Sequence, residues 1–385
     1  MHRHSKVRRD FLTFSAAGAA VLLAPRMAFA TVASDRRFVF IIQRGAADGL
    51  HLVPPVGDPD YVRQRQALAV EASIVTRLDD TFGLHPSLVE AAKMYRSGEA
   101  LFVHAVSSRY RDRSHFDGQN VIETGGSGPY QVKDGWLNRL AGLMPAGKPL
   151  PMSFAPTVPI ALRGAVEVSS YATSKLPEPG DELLARVSML YRDDAQLHGL
   201  WSAAMQVRGM AGEARAGQDP ASLGKLAASF LVRPDGPRIA MLETVGWDTH
   251  NQQAGRLDRL LRGFDGMLAG LRDGLGEQWQ NTTVLVATEF GRTVAVNGTG
   301  GTDHGTGSAA MLFGGAVKGG RVLADWPGLA QASLFENRDL RPTASLESLI
   351  ATAAAETFRL DPERVARALI EGGSSGRTWS GLVRA

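Results

Sequence analysis

The 385-residue chain contains no cysteine. This excludes disulfides, thiolate metal sites and a cysteine nucleophile, and with them iron–sulfur clusters and most structural zinc chemistry. Aromatic residues make up only 7% of the chain, and neither charge sign dominates, with 42 Lys and Arg against 39 Asp and Glu. No apolar run reaches the roughly 20 residues that span a bilayer, and no internal repeat or low-complexity tract is visible. Several catalytic signatures are also missing. There is no Gly-x-Ser-x-Gly elbow, His-Glu-x-x-His or Ser-x-x-Lys in a suitable context, which disfavours a serine hydrolase. The glycine-rich stretches lack the Gly-Lys-Ser/Thr of a phosphate cradle, and no dinucleotide fingerprint or haem motif supports a redox enzyme.

What the N-terminus does contain is an address. Arg8-Arg9-Asp10-Phe11-Leu12 opens an apolar stretch that runs to Leu23, and Ala28-Phe29-Ala30 supplies the small residues of a cleavage site. This order predicts a twin-arginine export signal over residues 1–30, removed after translocation. The implied partner is the twin-arginine export machinery, and the implied location is periplasmic or extracellular, with no transmembrane anchor after cleavage. The segment carries five cations (Arg3, Lys6, Arg8, Arg9, Arg26) against Asp10, so residues 31–385 are close to −1 although the whole chain is +3. The basic character belongs to the signal and gives no reason to expect nucleic acid.

The remainder is long enough to bury a substantial core. Phe38-Val39-Phe40-Ile41-Ile42 is a continuous apolar run of the kind found in strands buried on both faces, and Leu101–Val106, Ile239–Leu242 and Val284–Ala287 repeat it. Helical patterns lie between them, over Pro86–Glu99, Phe116–Thr124, Trp136–Met144 and after Asn251. In the last, Leu257, Leu260, Leu261, Phe264, Leu268, Leu271 and Leu275 form one apolar stripe. The alternation predicts an α/β fold, a doubly wound and mainly parallel sheet with helices on both faces, whose chemistry gathers at the carboxyl ends of the strands. Residues 145–237 are less regular, with a proline-rich start and a helical region from Asp181 to about Arg215, and read as a cap or insertion.

Polar clusters follow the predicted strands. Asp48 follows the first, Asp248-Thr249-His250 the third, and Glu289-Phe290-Gly291-Arg292 the fourth, before a glycine-rich loop with Asp303-His304. Carboxylates and imidazoles in such loops are the ligands that divalent metals take. Each also has a plain structural reading. Asp48-Gly49 suits a turn, and Asp248 suits the N-cap of the following helix. Asp303-His304 is harder to explain by packing, because loop-borne polar clusters commonly carry sites. Arg111–Asp117 opens the helix after the Leu101 strand. There Ser114 is either a nucleophile or an N-cap with Asp117 three residues on, while His115 and Arg113 favour an anion. Ser107 and Ser108 are rival nucleophiles. His104, within an apolar run, reads as a satisfied core histidine.

In order and spacing, Phe38–Leu50, Gly57-Asp58-Pro59-Asp60-Tyr61, Phe82-Gly83-Leu84-His85-Pro86, Ser114-His115-Phe116 with Gln119, Asp248-Thr249-His250, Thr288–Arg292 and Gly301–Gly305 resemble the domain of unknown function 1501 family. That family is related to the alkaline phosphatase and sulfatase superfamily, and the resemblance implies an alkaline-phosphatase-like fold over residues 31–385. It implies one or two divalent metals (zinc, manganese or calcium) on Asp48, Asp248, His250, Asp303 and His304, with Ser114, His115, Glu289 and Arg292 in catalytic roles. The chain departs from the superfamily pattern at Phe290, where a histidine is expected. The function implied is hydrolysis of a phosphate, sulfate or related anionic ester. The alternative is a non-catalytic protein that keeps the fold and binds an envelope glycan or lipid head group.

Overall fold

The computed structural model describes residues 35–385 apart from 146–148, 173–179, 193, 212–218 and 374–378. The expected export signal over 1–30 and the end of the helical region at Arg215 lie outside the described residues.

Among the described residues, eleven strands follow one another as β1 (Arg37–Arg44), β2 (Thr76–Arg77), β3 (Gly83–Leu84), β4 (Ala100–Ser107), β5 (Met152–Ser153), β6 (Ser169–Ser170), β7 (Ile239–Val245), β8 (Thr282–Ala287), β9 (Ser308–Phe313), β10 (Arg321–Leu323) and β11 (Ala344–Ser345). Nine of them form one sheet in the order β10-β4-β9-β8-β1-β7-β5-β6, with β11 paired to β4, while β2 and β3 make a small separate ladder. The four strands expected from sequence are all present, and β1 lies at the centre, parallel to both β7 and β8. The sheet is mainly parallel, but β9 runs antiparallel to both β4 and β8. Its sequence, Ser-Ala-Ala-Met-Leu-Phe, is poor in the β-branched residues that mark a strand.

Both faces of the sheet are covered, as the continuous apolar runs require. Val39 and Ile41 of β1 enter one core, with the helices Val89–Arg96, Pro220–Leu231 and Gln253–Leu275. Phe38, Phe40 and Ile42 enter the other, with Trp136–Gly142, Leu346–Phe358 and Pro362–Leu369. The apolar stripe read along the 253–275 helix is buried at Leu257, Leu261, Phe264, Leu268, Leu271 and Leu275, and each such side chain contributes about 1.5–3 kcal/mol of burial before chain entropy is counted. Its outer neighbour, the 220–231 helix, approaches closely because glycines meet backbone there. A Cβ on Gly224 would lie 2.2 Å from the Met267 carbonyl oxygen, and one on Gly270 would lie 2.5 Å from that of Ala221.

Residues 145–237 supply β5, which pairs with β7, then β6, and the 220–231 helix. Two further helices, Asp181–Tyr191 and Ala195–Ala211, expose Leu183, Leu190, Leu197 and Leu200. No described helix is long and apolar enough to cross a membrane. His104 is fully buried, its Nε2 3.1 Å from the Val53 carbonyl oxygen and its Nδ1 accepting from the Ala105 N–H. It is the satisfied core histidine that its apolar run suggested.

Candidate metal centre

The carboxyl ends of β4, β7 and β8 point to the same edge of the sheet, and the segments that leave them converge there. β4 leads to the helix His115–Thr124, with Ser114 at the N-cap position. β7 leads to Asp248 and His250. β8 leads to Glu289 and then to the loop holding Asp303 and His304, which bridges back to the chain through Arg292. Two glycines let these segments touch. Gly45 has φ +114° with its α-carbon against the backbone of Asp248, and a Cβ on Gly301 would stand 2.3 Å from the His250 carbonyl carbon. The glycines of this loop therefore serve contacts between loop backbones.

At the meeting point three imidazole Nε2 atoms surround one carboxylate oxygen. Asp248 Oδ1 lies 3.4 Å from His115 Nε2, 3.0 Å from His250 Nε2 and 3.4 Å from His304 Nε2, and the His250 and His304 Nε2 atoms are 3.1 Å apart. Every one of these rings has its other nitrogen on an acceptor. His115 Nδ1 is 2.8 Å from Glu289 Oε1, His250 Nδ1 is 3.0 Å from Asp303 Oδ1, and His304 Nδ1 is 2.9 Å from the Arg113 carbonyl oxygen. Carboxylate and carbonyl oxygens only accept, so each Nδ1 carries a proton, and a ring that is neutral then turns a bare Nε2 lone pair toward its neighbours and the anion. Such an arrangement is repulsive unless a cation lies among them. His115 Nε2 is in addition buried without a hydrogen-bond partner.

The dimensions fit that reading. Donor atoms arranged tetrahedrally about 2.0–2.1 Å from a zinc ion are roughly 3.3–3.4 Å from one another. The separations from Asp248 Oδ1 to the three Nε2 atoms, and between the His250 and His304 Nε2 atoms, fall between 3.0 and 3.4 Å, while the set whose donor atoms all lie within 4.8 Å of one another is His115, Asp248 and His304. The carboxylate and carbonyl partners of the Nδ1 atoms are the groups that orient ligating histidines and raise their basicity.

Charge follows the same plan. Burial alone would raise the Asp248 carboxyl, but the hydrogen bond and charge of Arg292, helped by His250 and His115, hold it down to about 2. Burial and the neighbouring His115 lower His304, which favours its neutral, ligating form. Burial opposes the charged form of His115, yet its bond to Glu289 and the charges of Glu289 and Asp248 raise it above the ordinary histidine value. Glu289 is fully buried and stays below its ordinary value despite burial, because His115, Gln119 and the Gly45 N–H all donate to it. Asp303 is lowered by its bonds to Asn297 and His250. The centre is open to solvent, with the Asp248 side chain 44% exposed.

The sequence-derived candidates are therefore redistributed. Asp248, His250 and His304 meet as expected of ligands. His115, expected in a catalytic role, joins them, and His115, Asp248 and His304 form a group that can hold a metal ion among the described residues. Asp303 and Glu289 sit behind the imidazoles as their hydrogen-bond acceptors.

Asp48 stands apart. One of its oxygens caps the Gly49–Leu52 turn at Leu50 N, and the other is bound by Arg65 and by Gln253, all inside the protein. The Arg292 guanidinium is also buried, and is spent on the carbonyls of Gly45, Ala46, Trp247 and Thr302 and on Asp248, so it ties strand ends together and is closed to a substrate anion. Arg113 is similarly taken by Glu336 and Asp339. Asp248 does not cap the long helix, whose N-cap position is Gln252. Ser114 occupies an N-cap position without a side-chain capping bond, leaving its hydroxyl free of that role.

Phe290, at the position where a histidine was expected, is buried and stacks on His115 with ring centroids 5.0 Å apart. Its ring also lies 5.3 Å from that of His304. Arg338 is a residue that the sequence did not single out. Its guanidinium, 41% exposed, donates to the His304 carbonyl oxygen. No motif marks it, since it lies more than thirty residues beyond the loop it supports.

No curated protein matches the chain. Among solved structures it is similar to a protein in the alkaline phosphatase superfamily from Vibrio parahaemolyticus, at 10% identity over 76% of this chain and 64% of that one, with a TM-score of 0.38. It is similar to the PsFucS1 sulfatase from Pseudoalteromonas sp., at 13% identity over 90% and 75% of the two chains, with a TM-score of 0.38. A third similarity is to the C-terminal periplasmic domain of EcEptC from Escherichia coli in complex with zinc, at 9% identity over 74% of each chain, with a TM-score of 0.39. The family model described as Protein of unknown function (DUF1501) matches residues 35–370, and the chain belongs to that family.

Proposed function

We propose that the protein is a metal-dependent hydrolase of phosphate, sulfate or related anionic esters, with one divalent ion held by His115, His250, His304 and Asp248. The observation that carries this reading is the convergence of three Nε2 lone pairs on Asp248 Oδ1 while every Nδ1 is fixed on an acceptor. Three nitrogens and one oxygen suit zinc or a similar transition ion. They do not suit calcium, which takes 6–8 oxygen ligands.

The chemistry such an ion supplies when bound is Lewis acidity toward an ester oxygen and toward water. The chain's own groups do the rest. Glu289, Asp303 and the Arg113 carbonyl hold the rings in one tautomer, and Arg292 fixes Asp248 while keeping it ionised. Arg338, which is 41% exposed although it pairs with Asp339 and the His304 carbonyl, is the guanidinium to which this reading gives the anion-holding role expected of Arg113. Ser114, at the start of the helix that carries His115 and without a side-chain capping bond, is the hydroxyl to which this reading gives the nucleophile's role.

The rival reading, a non-catalytic envelope protein that binds a glycan or lipid head group, draws support from Phe290, an apolar side chain at the position where the resemblance leads one to expect a histidine. Zinc analysis of the purified protein, with turnover of aryl phosphate and sulfate esters by wild type and His304→Ala, tests the choice. One zinc per chain and turnover lost with His304 support the hydrolase. A wild type that binds no divalent metal overturns it, and metal without turnover of any ester favours the binding protein.

The same proposal includes export through the twin-arginine machinery, supported by the sequence pattern of residues 1–30, and a cap or insertion over about residues 145–237. N-terminal sequencing of protein recovered outside the cytoplasm checks the first, with a start at Thr31 expected.

A further inference from the structure

Resting on the hydrolase reading, we infer that the ester's carrier is a sugar, bound in a subsite beside the metal centre. A depression of about 260 Å³ opens on the same helix that supplies His115. Phe116 and Asn120, one turn apart, line it, and so does Gln119, whose amide shares Glu289 Oε1 with His115. Its volume is just below the roughly 300 Å³ at which pockets for drug-sized ligands begin, which is room for one pyranose ring.

The lining has the two characters that a pyranose needs. One is an apolar face for the ring's C–H surface. Phe116 is 82% exposed and Tyr130 is 53% exposed, and both border the depression. A lone exposed aromatic needs no explanation, but Tyr130 is held in place at a cost. Its backbone adopts φ +61°, a conformation that non-glycine residues rarely enter. Its N–H is anchored on Asn120 Oδ1 at 2.7 Å. The ring is thus preorganised while still presented to solvent, as a stacking platform has to be.

The second character is a set of fixed polar groups for the hydroxyl rim. Arg44 is clamped between Glu123 and Glu243, 2.7 Å from each, and also donates to Gln119. Paired guanidinium and carboxylate offer donors and acceptors side by side, the pattern that adjacent hydroxyls match. Since Gln119 belongs to both sites, a sugar seated here carries an ester substituent toward His115 and its neighbours.

Saturation-transfer NMR on the zinc-loaded protein tests the subsite, using glucose 6-sulfate, galactose 6-sulfate and N-acetylglucosamine 6-sulfate as probes. Saturation of ring protons is expected in wild type for at least one probe. It should weaken by at least about five-fold in Phe116→Ala/Tyr130→Ala, at unchanged zinc content. Absence of ring-proton saturation with all three probes, or saturation undiminished in the double variant, overturns the inference. Turnover of p-nitrophenyl sulfate and phosphate by wild type is read in parallel. Aryl turnover without ring saturation removes the sugar subsite alone, whereas ring saturation without turnover of any ester supports the subsite and removes the hydrolase.

Discussion

Replacing Asp48 by asparagine separates the metal-ligand role expected from the sequence from the internal counter-ion role that the structure shows. The Asp48 and Arg65 side chains are 1% and 0% exposed, and they form an ion pair inside the protein. Asparagine keeps the oxygen that caps Leu50 and is as good an N-cap as aspartate, so the cap contributes almost nothing to the change. What is lost is the charge facing Arg65, whose remaining partners are two carbonyls at 3.2 Å, on Thr293 and Val294. Stranding a buried charge in this way costs about 3–5 kcal/mol, and removing both partners together costs far less, being often neutral. Urea unfolding followed by tryptophan fluorescence should therefore show Asp48→Asn strongly destabilised and Asp48→Asn/Arg65→Met largely restored. Zinc content should be the same in wild type and both variants. A single variant within about 1 kcal/mol of wild type, or one that keeps its stability and loses its metal, would refute the argument and return Asp48 to the ligand set.

Other outcomes follow from the same geometry. Asp303→Asn, which weakens the acceptor behind His250, should lower zinc affinity by about 10–100-fold in a chelator competition while leaving the melting temperature of the metal-free protein almost unchanged. His104 is held down to about 4 and His51 to about 3, chiefly by burial, against 6.5 for a free imidazole, so the unfolded chain takes up protons that the folded chain refuses. Stability is then complete above pH 6.5 and is lost as pH falls toward 4. His104 alone accounts for about 3 kcal/mol of that loss, and His104→Gln should flatten the pH dependence of the urea midpoint. Gly270→Ala should lower the melting temperature, with a cost of about 1–3 kcal/mol that outweighs the roughly 1 kcal/mol by which alanine favours a helix. The new methyl would stand 2.5 Å from the Ala221 carbonyl oxygen.

The parts of the molecule that were legible in the sequence are those whose burial leaves a local pattern. Apolar runs such as Phe38–Ile42 mark strands covered on both faces, and the Leu257–Leu275 stripe marks a helix packed along one side. β9 escaped because its Ser-Ala-Ala start carries no strand propensity, and its pairing with β4 and β8 is tertiary. At the site, residue types at strand ends pointed to loops that converge in the structure, but the division of labour inside them depends on distances between segments remote in sequence. Nothing in Ser-His-Phe says that His115 turns Nε2 toward Asp248, because that direction is set by Glu289, 174 residues away. For Asp48 and Arg292 the sequence shows a carboxylate and a guanidinium after buried strands. Only the three-dimensional partners reveal that both charges are consumed internally.

The spacing of the proposed ligands also orders events in time. His250 and His304 are separated by 54 residues, and His115 meets Glu289 across 174, so a complete donor set needs the whole stretch from His115 to His304, more than half of residues 35–370. During synthesis the four donors remain strangers until β8 and the loop after it have joined the sheet. Capture of an ion is then a late act that certifies a finished fold, and whichever ion is plentiful where folding ends is the one the centre first meets. A protein built this way would acquire its metal in the compartment in which it folds, and would carry that choice wherever it travels afterwards.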